Sequence, residues 1–91
     1  MAMPWYTAED YGEVRELMAD RQNMPRTFEA WERAALQVEE ETVRLGASVV
    51  RAVIEPWPFK AWCKMTGMEL NAWARTTYAQ MLMRSQRGGQ G

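Results

Sequence analysis

One stretch of this sequence departs from everything around it. Ser48-Val49-Val50-Arg51-Ala52-Val53-Ile54-Glu55 is rich in β-branched residues, lacks helical periodicity and stops at Pro56, a pattern that reads as a strand. Alternation places Val50, Ala52 and Ile54 on one face and Val49, Arg51 and Val53 on the other. No other stretch reads convincingly as a strand, and a lone strand is unstable because its backbone donors and acceptors need a ladder. The simplest completion is the same strand from a second copy, paired antiparallel across a two-fold axis. The expected architecture is therefore mostly α with a single β-strand per chain, in the order α-α-β-α-α, closed into a homodimer by strand pairing. A buried loop or helical segment is the alternative for residues 48–55.

The rest of the chain reads as helix. Thr7 and Asp10 have capping-box-like spacing. The helix they open should run to about Asn23, with Tyr11, Val14, Leu17 and Met18 on one side. Gly12 weakens its first turn by roughly 1 kcal/mol relative to Ala, and Asn23-Met24-Pro25-Arg26 ends it. Thr27 caps a stronger helix that Gly46 closes. Along it Phe28, Trp31, Ala35, Val38, Thr42 and Leu45 recur at alternating steps of three and four, the spacing of a packed helix pair. Glu29 with Arg33 and Glu40 with Arg44 are i,i+4 pairs in the favourable order.

Pro56-Trp57-Pro58 opens a third helix, with Phe59, Trp62 and Cys63 inward and Gly67 as its stop. Asn71 caps a last helix from Ala72 to about Arg84, burying Ala74, Thr77, Tyr78, Met81 and Leu82. The organisation this implies is an N-terminal helical segment over 1–24, loosely attached or packed on the core, a core domain over 25–84, and a disordered polar tail over 85–91.

Composition limits what such a chain can do. Of its 91 residues 47% are hydrophobic, with five Trp and eight Met. A chain this short buries only about 60–65% of its unfolded surface, so the excess argues for apolar surface buried between chains, the alternative being a Trp-heavy monomeric core. Net charge is −1, yet residues 1–47 carry five Arg against ten acids and residues 48–91 carry six Lys and Arg against two. A basic back half suits a nucleic-acid-facing surface, or attraction between the two halves. Cys63 is the only cysteine, so no intramolecular disulfide forms. No apolar run approaches 18 residues, and Met1 to Tyr11 lacks the basic region of a signal peptide. A cytoplasmic setting with no membrane partner is expected.

The chemistry of catalysis is sparse. There is no His, which removes the commonest general base and metal ligand together with every Ser-His and Cys-His arrangement. Gly67 is followed by Met68-Glu69-Leu70-Asn71, so no glycine-rich phosphate loop is present. Glu39-Glu40-Glu41 reads as a solvated face rather than a catalytic carboxylate pair, and Cys63, between Trp62 and Lys64, as a packing residue rather than a reactive thiol. The expectation is a protein that is not an enzyme and uses no cofactor or metal.

Residues 48–84 resemble the ribbon-helix-helix family of dimeric DNA-binding regulators. The resemblance rests on Val49 to Ile54, then Pro56, Phe59 and Trp62, then Gly67 and Asn71, and the amphipathic run through Tyr78 and Leu82. It implies a two-stranded ribbon in the major groove, with Val49, Arg51 and Val53 facing bases and Arg51 the one able to hydrogen-bond a guanine. Amides near Asn71, Ala72 and Trp73 would hold a phosphate, aided by Lys60, Lys64 and Arg75. Val50, Ala52, Ile54 and Tyr78 would form the dimer interface. Glu55 departs from the pattern, standing before Pro56 where an apolar residue is customary, and the following helix is about one turn short. The competing reading is a protein-interaction module with the same strand-paired dimer. Trp5, Trp31, Trp57 and Trp73 would then be its anchors, or the Tyr11, Val14 and Met18 side of the first helix its docking element.

Overall fold

The strand read at 48–55 does form, and its partner is the chain's own N-terminus. In the computed structural model, which describes residues 1–88, Ala2–Trp5 makes a first strand, β1, and Val50–Val53 a second, β2. They run parallel, with Ala2 opposite Val50 and Trp5 opposite Val53. The single-strand α-α-β-α-α expectation is therefore corrected to two short parallel strands and four helices. The order is β1, α1 (Tyr11–Leu17), a 3-10 turn (Arg21–Asn23), α2 (Phe28–Arg44), β2, α3 (Pro56–Thr66) and α4 (Ala72–Gly88). Antiparallel pairing with a second copy loses its premise, a lone strand without a ladder, because β2 finds a ladder inside the chain.

Several bonds hold the two strands in register. Val50 N–H donates to the Met1 carbonyl and Ile54 N–H to the Trp5 carbonyl, both at 2.9 Å, while the N-terminal ammonium donates to the Ser48 carbonyl at 2.7 Å. By alternation these contacts place the nitrogen of Pro4 on the side of β1 away from β2, where its missing N–H costs nothing. Four residues containing a proline carry almost no strand signal of their own, and a parallel pair separated by two helices leaves no hairpin signature.

Helix boundaries follow local chemistry. Thr7 Oγ1 accepts from the Asp10 N–H at 3.2 Å, as the capping spacing suggested. The first helix then stops at Leu17, earlier than expected, since Met18 turns extended and sinks into the core. Ala19 N–H donates to Leu70 O at 2.7 Å instead of continuing the helix. Thr27 Oγ1 caps α2 through Ala30 N–H at 3.1 Å, and Asn71 Oδ1 caps α4 through Ala74 N–H at 3.1 Å. Gly67, at φ 72°, takes the left-handed conformation that ends α3. The last helix continues through Ser85 to Gly88, into the region read as a tail, and residues 89–91 lie outside the described residues.

The main core draws on every helix. Tyr6, Tyr11, Val14, Met18, Met24, Ile54, Phe59, Cys63, Ala74 and Tyr78 are buried together, with Phe28 and Trp31 of α2 packed against them. Burying side chains such as Val14, Met18, Ile54 and Phe59 stabilises the fold by about 1.5–3 kcal/mol each. Residues 1–24 are thus built into the core rather than loosely attached, and the Tyr11 hydroxyl donates to the Pro25 carbonyl. On one side of the small sheet Ala2 and Ala52 pack against Ala79, Leu82 and Met83 of α4. On the other, Met3 and Trp5 meet Trp31 and Ala35 of α2. No helix among the described residues is long and apolar enough to cross a membrane.

Candidate interaction surface

The residues that the sequence offered to a second copy or to DNA are mostly engaged within the chain. Ala52, Ile54 and Tyr78 are buried by its own helices, and of the four expected interface residues only Val50 is exposed. Arg51 lies on the outer part of β2, but its guanidinium makes a two-pronged contact with the Glu39 carboxylate, both bonds at 2.7 Å. The same guanidinium sits 3.9 Å over the Trp5 ring. Its hydrogen bond to Glu39 lowers the carboxyl pKa and raises that of Arg51.

The second cation is likewise tied. Arg75 reaches across to Asp20 with bonds of 2.9 and 3.1 Å. That pairing holds the Asp20 carboxyl below its usual range. At the N-terminus of α4 the Asn71 side chain accepts from the Ala74 N–H. Val49 is half-buried beside Met3 and Trp5, while Val53, Lys60 and Lys64 are exposed, with the Lys60 ammonium 5.2 Å from the Trp57 ring centroid. Of the expected Trp anchors, Trp5 and Trp31 belong to the interior, their ring centroids 5.0 Å apart. Trp57 and Trp73 remain outside.

What the sequence reading overlooked is how α2 is used. Its apolar stripe is real, but only the first half packs. Phe28, Trp31 and Ala35 face the core, whereas Val38 is 49% and Leu45 81% exposed. A second exposed pair, Leu36 at 42% and Val43 at 55%, lies along another side of the same distal half. Leu36, Glu39, Glu40 and Val43 form the wall of a shallow groove of about 480 Å³ that Val49 completes at the start of β2. A smaller groove of about 310 Å³ runs past Val38 and Thr42.

Beside the larger groove lies an open strand edge. The sheet has only β1 and β2 among the described residues. Since Val50 and Ile54 donate toward β1, the N–H groups of Arg51 and Val53 point the other way. Helix α4 lies mainly over β1, and α2 packs on Met3 and Trp5 of the same strand, reaching β2 through the Glu39–Arg51 pair. Val50, Arg51 and Val53 of β2 are consequently exposed.

Chemistry elsewhere is modest. Burial pushes the Cys63 thiol up, as for a packing residue. Among the described residues no three His, Cys, Asp or Glu side chains gather where they could hold a metal. No family model, no curated protein and no solved structure matches this chain.

Proposed function

We propose that this chain is a non-enzymatic binding module whose target is another protein, docked on the distal half of α2 and the adjoining β2. The observation that carries this reading is the exposed apolar surface on the distal half of α2, where Leu36 and Val43 stand in the groove that Val49 completes beside β2. A periodicity suited to helix packing continues through Val38 and Leu45 after the chain's own core has ended at Ala35. Large apolar side chains grouped on one element, rimmed by charge, mark interaction surfaces on small soluble domains.

Duplex DNA fits less well. Arg51 and Arg75 are each committed to a carboxylate, and the Ala74 amide at the α4 N-terminus already has an acceptor. Lys60 and Lys64 are left as the exposed cations of the expected DNA-contacting set.

The test is a pair of charge insertions, Leu36→Glu and Val43→Glu, in the full chain. Both positions are exposed, so folding should survive, as judged by circular dichroism and amide spectra. Each should weaken binding to a partner protein at least about tenfold, the loss of roughly 1.4 kcal/mol expected when a hot-spot contact is broken. Steep salt-dependent retention on duplex DNA, insensitive to both changes but lost with Lys60→Ala and Lys64→Ala, would overturn the protein reading in favour of nucleic acid.

A further inference from the structure

Building on the reading of α2 and β2 as a protein-docking face, we infer that the partner enters as an extended segment that adds a third strand to the outer edge of β2. Its side chains on the α2 face should combine apolar and basic residues. The argument starts from the backbone. Arg51 and Val53 present N–H and C=O groups along the side of β2 opposite β1, and no third strand joins the sheet among the described residues. An open edge of this kind is a template for main-chain pairing, and it supplies affinity with little demand on sequence.

Specificity then comes from what flanks the edge. In the added strand every second side chain would point to the face on which Val49, Arg51 and Val53 lie, the face that carries α2. There it meets the groove formed by Leu36, Val43 and Val49, which calls for an apolar residue. Natural sheets blunt such edges with charges or a bulge. Here the single edge charge, Arg51, is drawn back onto Trp5 and Glu39, leaving the edge clear.

Charge sets the rest of that face. Glu39 and Glu40 line the groove, and Glu32 lies close enough to perturb Arg51. Against these three carboxylates stand Arg44, which pairs with Glu40, and Arg51. The excess is negative, so Lys or Arg suits the α2-facing positions that lie beside Glu39 and Glu40 rather than against Leu36 and Val43.

The experiment selects random twelve-residue peptides, displayed on phage, against the immobilised full chain. The selected peptides then serve as probes for amide hydrogen exchange. The expected winners carry, at every second position, apolar residues together with Lys or Arg. They should slow exchange at Arg51 and Val53 at least tenfold, and lose at least tenfold in affinity on Leu36→Glu. N-methylation of alternate peptide amides should abolish binding, since it removes the ladder donors and leaves the side chains in place. Peptides with helical three-four spacing, dependent on Leu36 but leaving Arg51 and Val53 exchange unchanged, would keep the docking face and overturn strand addition. A selection that yields no peptide sensitive to Leu36→Glu or Val43→Glu would overturn both.

Discussion

The contact between Asp20 and Arg75 joins positions far apart in the sequence, and its removal should be costly. Its carboxylate side chain is 21% exposed and its guanidinium 12%, so the pair is neither a surface bridge nor a fully buried one. Exposed pairs contribute about 0–1 kcal/mol, and breaking a buried pair costs about 3–5 kcal/mol through the charge left behind. Asp20→Ala strands a mostly buried guanidinium. Solvent screening at the open side brings the cost below the buried limit, to about 2 kcal/mol. For a domain of this size each kcal/mol moves Tm by about 4–8 °C, so the variant should melt roughly 8–16 °C lower at pH 7. Asp20→Asn, which keeps an acceptor but no charge, should lose about half of that.

The sign of the pH dependence follows from the direction of the shift. Asp20 has its folded pKa lowered, first by the Arg75 hydrogen bond. Its contribution is therefore fully present above the unfolded carboxyl value of about 3.9 and is lost as pH falls through the lower folded value. The difference in Tm between the native chain and Asp20→Asn should be complete at neutral pH and should close below about pH 4. Thermal and urea melts followed by circular dichroism at several pH values measure it. A difference under about 2 °C at pH 7, or one that persists unchanged at about pH 2, would refute the reasoning.

Two further outcomes follow from other positions. Burial pushes the Tyr6 phenol up to about 12, so its neutral form contributes stability that is intact below the unfolded value of about 10 and lost as pH rises toward 12. The total is roughly 2–3 kcal/mol. Absorbance titration should show Tyr6 ionising last of the three tyrosines, with that step missing in Tyr6→Phe; one common transition near pH 10 in the folded chain would contradict it. Gly67 has φ 72° with open space around its missing Cβ, so Gly67→Ala should cost about 1–2 kcal/mol of backbone strain alone. Gly67→Asn should recover part of that Tm loss, and equal melting of all three would show that the turn relaxes.

Much of this fold was legible locally. Thr27, Gly67 and Asn71 announce their helix ends through hydrogen bonds or dihedral angles that involve neighbours a few residues away, and each boundary lies where that chemistry places it. The β-branched run around Val50 to Val53 likewise forms a strand for reasons contained in its own side chains. Its partner could not be read in the same way. Ala2–Trp5 has little strand propensity, and it is held in place by Val50, Ile54 and Ser48 backbone groups and by packing on α2 and α4.

The candidate surface divides along the same line. The sequence determined that α2 would be amphipathic, with a stripe from Phe28 to Leu45. Only the tertiary structure decided that the stripe's first half is core and its second half surface, because the buried core meets the stripe as far as Ala35 while Val38 and Leu45 stay exposed. It also decided that Arg51 and Arg75, free in any linear reading, are spent on Glu39 and Asp20. Helix periodicity and capping are short-range properties that a few neighbouring residues specify, whereas the pairing of charges and strand edges distant in sequence depends on how the whole chain closes.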